Sequence, residues 1–442
     1  MNQWLSVIIR IMSTLSPQPA EATTPAPLAR HGQLKAGNTA ATVLKFVAVV
    51  VAVVLVSTVS IAAVAVHNIT SAIRPGVALQ GEELDALTIG TVDGPVNLLL
   101  VGSDSGEGNL AYGERDATLN DVTMLLRISA DRKRATVVSF PRDLFVDIPE
   151  CPNPDGGSFP AASSQKINQS LSRGGLACPV LTVENLTGLE IPYAAKIEFG
   201  GVIEMSNAVG GVEVCVASPI DDRNIPFKLD AGTHTLSGID ALHFLRTRYG
   251  VGDGSDLTRI SNQQQFLSSL VRTLKSSETL SNPVKLYGIA SAASRNLEFS
   301  NSLRNVDTMV AIAGALKDIP LEEVVFARYP IADATIGGQS GVAPIADAAD
   351  ALFTAIAADL PIGLTGGTGG GTVADPNAPV ASPESSPAPV PAEPVDPNAP
   401  VPSGSPAPEA PPTRVELPDT VQGTTAGEVT CSAGQTAGRP GG

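Results

Sequence analysis

Between positions 96 and 362 the apolar residues fall into short β-branched runs set between longer stretches with helical spacing. The runs 96–102, 122–128, 135–140, 193–197, 212–216 and 324–327 have the length and composition of strands. The stretches 166–173, 180–186, 200–209, 238–245, 257–274, 283–293, 303–316 and 345–357 repeat apolar residues at amphipathic-helix spacing. Strands interleaved with helices predict an α/β domain, a mixed central β-sheet flanked by helices. Two of the runs end abruptly in charge. One leads into Ser103-Asp104-Ser105 and the other into Pro141-Arg142-Asp143, and side chains at strand ends are well placed for chemistry.

The flanks differ in kind. Residues 46–66 are apolar except for Ser57, Thr58 and Ser60, and a helix of that length crosses a hydrocarbon core of about 30 Å. The run is longer than the core of a secretory signal and lies too far from the first residue, so it is expected to be a retained transmembrane helix. Arg10, Arg30, Lys35 and Lys45 precede it against Glu21 alone. The positive-inside rule then predicts a cytoplasmic segment at 1–45, with the single span followed by an extracytoplasmic remainder. Residues 67–95 read as an extracytoplasmic spacer. Residues 363–442 form a Pro/Gly/Ala/Ser-rich acidic tail holding 16 of the 36 prolines. Such a segment buries too little apolar surface to offset its ordering entropy, so disorder is expected.

Charge narrows the partners. A formal net charge of −16 argues against nucleic acid, and contact with membrane lipid is expected through the anchor. Cys151 and Cys178 lie in Gly/Pro/Ser-rich loops and are expected to pair, whereas Cys215 reads as a buried strand residue. No two cysteines show the close spacing of zinc ligands.

Three polar clusters and one apolar one carry the chemical reading. Asp104 and Asp121 flank a loop and could share a hard cation such as Mg²⁺, although each alone is an ordinary turn residue. Arg142 offers a planar fork to phosphate, with Asp143 beside it. Arg246, Arg248 and Arg259 surround a glycine-containing turn that opens a helix, as in an anion site, and Gln263 follows Arg259 by one helical turn. The aliphatic and glycine-rich stretch 180–216 offers either an ordinary core or a slot for a lipid chain.

In order, these pieces resemble the LytR-CpsA-Psr family of cell envelope glycopolymer transferases, of actinobacterial type. The resemblance runs from about 96 to 331. It is carried by Asp104, Asn120-Asp121-Val122-Thr123, Pro141-Arg142-Asp143, Lys166-Ile167-Asn168 with Gly174-Gly175, Gly210-Gly211-Val212, Arg246-Thr247-Arg248, and Asp256-Leu257-Thr258-Arg259 with Gln263. Leu119 stands where the family usually has an arginine, with Arg115 as its candidate replacement, and Asn262 stands where the family has another.

The resemblance implies an LCP-like catalytic domain over 96–362. Its activity would be transfer of a glycopolymer from a polyprenyl diphosphate carrier to peptidoglycan through a phosphodiester, for cell wall biogenesis. Arg142, Arg246, Arg248, Arg259 and Gln263 would hold the diphosphate, Asp104 and Asp121 the Mg²⁺, and Arg142, Asp143 and Asp121 would act in catalysis. A non-catalytic protein binding lipid-linked glycans, and a polyprenyl diphosphate hydrolase, are the alternatives.

Overall fold

The computed structural model describes residues 39–80, 94–104, 118–375 and 414–435. By internal contacts the chain divides into residues 1–63 and 64–442. Helix α1, Thr39–Ala72, holds an 18-residue stretch with a mean hydropathy of 2.8 and is long and apolar enough to cross a membrane. Its apolar side chains, Phe46, Leu55 and Ile61 among them, are exposed along its length, as a lipid-facing helix requires.

The globular part is built on fifteen strands and seven further helices that matter here. In chain order the strands are β1 (Val96–Ser103), β2 (Asn120–Ile128), β3 (Ala135–Phe140), β4 (Phe145–Ile148), β5 (Ala162–Lys166), β6 (Tyr193–Ile197), β7 (Val212–Val216), β8 (Gly232–Leu236), β9 (Leu297–Phe299), β10 (Val324–Arg328), β11 (Ile331–Ile336), β12 (Gln339–Pro344), β13 (Thr372–Ala374), β14 (Gly423–Thr425) and β15 (Thr430–Ser432). The helices are α2 (Ala177–Thr187), α3 (Phe199–Val209), α4 (Gly238–Arg246), α5 (Asp256–Lys275), α6 (Pro283–Asn296), α7 (Val306–Asp318) and α8 (Ala346–Ala357).

Seven strands form the central sheet in the order β9-β6-β1-β2-β3-β10-β14. The β1–β6 and β3–β10 pairs are parallel and the rest antiparallel, so the sheet is mixed as the strand and helix alternation predicts. Period-2 alternation gives each strand two apolar faces. Leu99, Val101, Leu125 and Val138 join α2 and α8 in one cluster, while Leu98, Met124, Leu126 and Val137 join α7 residues in the other. Fully burying such a side chain contributes about 1.5–3 kcal/mol. A third cluster lies where β7 and β8 meet α4 and α5.

Three expectations need correction. The expected helix over 166–173 begins instead with strand β5, and its helical part is a 3₁₀ turn at Ile167–Gln169 followed by Ser170–Gly174. The spacer is not wholly separate: Val77 bridges Ser300, and Leu79 is buried. The acidic tail is not uniformly disordered either. Ile362–Gly363 pairs with Val415–Glu416, β13 pairs with β15, β15 pairs with β7, and β14 extends the central sheet. Short ordered segments were hidden by the average composition of 363–442; residues 376–413 lie outside the described residues.

Cys151 bonds Cys178 as expected. Cys215 is not simply a buried strand residue, because it bonds Cys431 across the β7–β15 pair. The Cys215, Asp375 and Cys431 cluster therefore offers no thiolate to a metal, since both sulfurs are in the bridge.

Candidate active site

The carboxyl ends of the parallel strands converge with the start of α5. At the end of β1 the register slips: Gly102 faces Val122, and Ser103 faces Asn120. Asp121 is thus the extra residue of a β-bulge, a device that re-aims a side chain out of the sheet. Gly102 is required for the close approach, since a Cβ there would lie 2.9 Å from that of Val122. Below the loop the two chains are sealed: the Asp104 N–H donates to the Leu119 carbonyl (3.1 Å) and the Leu119 N–H to Asp104 Oδ1 (2.9 Å). Asp104 is buried. Asn120, also buried, donates to Thr123 and accepts from Ser170 and Leu171, fixing the β2 end to the following helix.

Past β3, the chain turns at Pro141-Arg142-Asp143, with the Leu144 N–H donating to the Pro141 carbonyl. The Arg142 carbonyl accepts from Asn168 and the Asp143 carbonyl from Val342, so the backbone presenting both side chains is held on two sides. Arg142 Nη1 donates to Asp121 Oδ1 at 2.9 Å, and its Nε lies 3.6 Å from Asp143 and 3.5 Å from Asp256. Lys166, at the end of β5, donates to Asp143 Oδ1 at 2.9 Å. Arg259 reaches the same centre, with Nη2 2.7 Å from Asp256 Oδ1 and Nη1 3.6 Å from Asp121 Oδ2.

The cluster is half-buried to buried, which strengthens its ion pairs. Burial opposes the charge on Arg142, but Asp121 and Asp256, then Asp143, outweigh it and raise its pKa above the ordinary arginine value. The Nε–H groups of Arg142 and Arg259 have no hydrogen-bond acceptor, and neither oxygen of Asp256 accepts a well-aligned hydrogen bond. Donors and acceptors are both left over at the centre of a charged site.

Arg246 and Arg248 approach from the α4–α5 connection. The Arg246 guanidinium stacks 4.3 Å from the centroid of Phe199, and Arg248 Nε donates to Gly254, two residues before Asp256. Their loop is shaped by Asp222, which is buried. Its Oδ2 accepts from Thr247 Oγ1 (2.8 Å), the Arg248 N–H (3.0 Å) and the Tyr249 N–H (3.1 Å). Burial alone would raise the Asp222 pKa; these bonds and one from Asn224 lower it. Gln263 donates its amide N–H to the Leu245 carbonyl at 3.1 Å, so it fastens α5 to the end of α4 beside the arginines.

The structure therefore brings Asp121, Arg142, Asp143 and Arg259 into contact and sets Asp104 at the adjoining strand end. Arg246, Arg248 and Gln263 lie along the connecting loop and helix. Three further residues belong to the arrangement. Lys166 and Asp256 stand inside sequence motifs that had carried no role for them, and Asp222 had no sequence signal, its burial arising from a distant loop folding over it. Asn262 faces away from the site: it is buried, donates to the Phe244 carbonyl at 2.7 Å and accepts from Ser432. Arg115 lies outside the described residues.

A mixed sheet carrying an arginine–carboxylate centre at its strand ends defines an α/β protein. The chain belongs to the LytR_cpsA_psr family, whose sequence profile matches residues 56–357. It is 30% identical over 266 residues to the cell wall biosynthesis protein LcpA of Corynebacterium glutamicum, covering 54% of this chain and 50% of LcpA. It is 29% identical over 230 residues to the polyisoprenyl-teichoic acid–peptidoglycan teichoic acid transferase TagT of Bacillus subtilis, covering 50% of this chain and 65% of TagT. These matches span about half to two thirds of the relatives' own lengths. Among solved structures, TagV of B. subtilis aligns with a TM-score of 0.49 at 21% identity over 60% of this chain and 97% of TagV. TagT bound to LIIa-WTA aligns with 0.47 at 22%, over 64% and 98%.

Proposed function

We propose that this protein is a membrane-anchored phosphotransferase that moves a glycopolymer from a polyprenyl diphosphate carrier to a peptidoglycan hydroxyl. The observation that carries the proposal is the centre at Arg142 and Arg259, where two guanidinium Nε–H donors lack acceptors while carboxylates hold the forks in place. Family membership and the transferase relatives support the same reading. The basic residues before α1 support a cytoplasmic N-terminus with the domain outside.

In this reading Arg142 and Arg259, with Arg246 at the end of α4 and Arg248 just past it, bind the diphosphate oxygens and neutralise charge that develops as the phosphoryl group transfers. The acceptor oxygen forms a bond to the sugar-side phosphorus and the bridging P–O bond breaks. Polyprenyl monophosphate leaves, and the acceptor proton passes to the Asp143 carboxylate, which Lys166 orients. Asp104 and Asp121, at the adjoining ends of β1 and β2, are the kind of oxygen donors a hard divalent cation takes. Asp104 and Asp121 would hold Mg²⁺, which when bound supplies Lewis-acid charge neutralisation.

The test is full-length protein given polyprenyl-diphosphate-linked glycan and peptidoglycan, with and without EDTA. Covalent glycan on peptidoglycan, lost with chelation and with Arg142→Ala, is expected. Release of glycan phosphate to water with no acceptor product would instead establish a hydrolase.

A further inference from the structure

A cavity opens past the Pro141-Arg142-Asp143 turn, with Phe145 in its lining. It has a volume of about 340 Å³, within the range of about 300–1,000 Å³ typical of small-ligand sites. Its lining includes Asp147, Ser164 and Asn185 with Leu186, Ile336 and Ala343. These residues come from β4, β5, the end of α2 and the β11–β12 hairpin. None of the residues assigned to the diphosphate lines it.

Its place follows from strand register. Lys166 pairs with Phe145 across β5–β4, and Ser164 lies two residues back along β5, roughly 7 Å from Lys166. The cavity thus begins about one residue pair beyond the Lys166–Asp143 ion pair. Val146, Leu186 and Val342 around it belong to the apolar cluster on one sheet face. Phe244 and Phe266, beneath the α4 and α5 arginines, belong to another. Past Lys166 the cleft lining carries Asp147 as its one charge, whereas Arg246, Arg248 and Arg259 stand on the α4–α5 side.

The lining excludes an anionic occupant. Among its residues there is one carboxylate, Asp147, and no base. A diphosphate or anionic glycopolymer brought there would meet repulsion with nothing to neutralise it. What remains suits a neutral, hydroxyl- and amide-rich ligand with an apolar face: Asp147 and Ser164 for hydroxyls, the Asn185 amide for an acetamido group, and Leu186, Ile336 and Ala343 for ring faces. The rim is built to shape. Ser164 is held in the left-handed region at φ 52°, beside the β4–β5 register shift, with its N–H donating to Asp147 Oδ1 at 2.9 Å. Such backbone strain recurs at ligand sites.

We infer that this cleft binds the acceptor glycan strand, seating an N-acetylated sugar so that the next hydroxyl along the strand meets the phosphorus held at Arg142. The inference rests on the proposed transfer reaction and adds where the acceptor enters. Donor and acceptor then reach the Arg142 turn from different elements, α4–α5 and β4–β5.

The test uses full-length protein in nanodiscs, a polyprenyl-diphosphate glycan donor and a soluble, lipid-free peptidoglycan glycan fragment. Ala343→Trp fills the cleft from the exposed hairpin and should raise the acceptor KM about tenfold or more, with the donor KM moving less than about twofold. Asn185→Ala, which also gives up the 3.4 Å hydrogen bond to the Asp147 carbonyl, should raise the acceptor KM by about threefold to tenfold. Saturation-transfer NMR should show the fragment bound to the wild type and lost in Ala343→Trp. An unchanged acceptor KM in a normally melting Ala343→Trp protein overturns the inference, as does a rise in donor KM instead. If Ala343→Trp fails to fold, Asn185→Ala decides in the same terms. A wild type that binds the fragment through this cleft yet transfers nothing to it refutes the transferase reading and leaves the glycan cleft standing.

Discussion

Replacing Asp222 tests whether one buried carboxylate shapes the arginine loop. Asp222→Ala removes the acceptor of four hydrogen bonds, from Asn224, Thr247, Arg248 and Tyr249, at 2.8–3.1 Å. A hydrogen bond to a charged group contributes about 1.5–3 kcal/mol, and of the stranded donors the Thr247 hydroxyl is fully buried while the three backbone N–H groups are part-buried. Simple addition overshoots, because water entering the vacated space satisfies some of them; about 3–4 kcal/mol is expected. Asp222→Asn keeps one acceptor oxygen and should cost about 2 kcal/mol. The sign with pH follows from the lowered pKa. A depressed carboxyl stabilises the fold fully above its unfolded pKa of about 3.9, and that contribution is lost as pH falls through the folded value. The gap between wild type and Asp222→Asn should therefore be full at pH 7 and should close in acid. Urea unfolding of the full-length protein in detergent, followed by circular dichroism from pH 7 to pH 3, measures both quantities. A cost below about 1 kcal/mol for Asp222→Ala, or a pH-independent gap for Asp222→Asn, refutes the reasoning. The same variants should raise the donor KM about tenfold, because Arg248 leaves its position.

Three other perturbations probe neighbouring parts. Arg142→Lys keeps a charge among Asp121, Asp143 and Asp256 but loses the planar fork, so kcat for transfer should fall by about 10²–10³ with little change in melting temperature. Lys166→Met releases Asp143 from its 2.9 Å ion pair and should lower kcat by about tenfold or more, with Lys166→Arg restoring part of it; equal rates in all three proteins would remove Lys166 from the site. Cys431→Ser opens a covalent loop spanning 216 residues, which the chain-entropy model values at about 5 kcal/mol. Hydrogen exchange should quicken first in β14 and β15 while β1–β3 stay protected, and uniform protection across all five strands would contradict it.

The five inner strands of the central sheet were legible because they are rich in apolar residues and five or more residues long, as 96–102, 122–128 and 135–140 show, whereas the three-residue edge strands β9 and β14 were not. The motif residues Asp121, Arg142 and Arg259 were legible for another reason, since their spacing along the chain matched a family pattern. What escaped were elements whose identity depends on partners far away. Strands β14 and β15 have three residues each and lie within a proline-rich, acidic stretch, so local pattern gave them no weight. Cys431 was the clue to them, a lone cysteine in the tail whose partner sits in β7. Asp222 looked like any loop acid, and only the fold of Thr247–Tyr249 over it makes it an anchor. The glutamines and asparagine of α5 were similarly opaque: Gln265 is buried and bonds the Cys215 and Thr430 carbonyls, a role set by the returning chain.

That returning chain also sets an order of assembly. β15 lies between β7 and β13, and β14 closes one edge of the central sheet beside β10. When β7 leaves the ribosome its neighbour is still 216 residues from being made, so the sheet must wait with an unsatisfied edge and an unpaired thiol. Non-local pairing of this kind is slow to find. Completion of the domain, and with it the settling of α5 that carries Asp256 and Arg259, becomes a late event, so a chain halted before residue 431 would carry every active-site residue and still lack the strand that packs against α5.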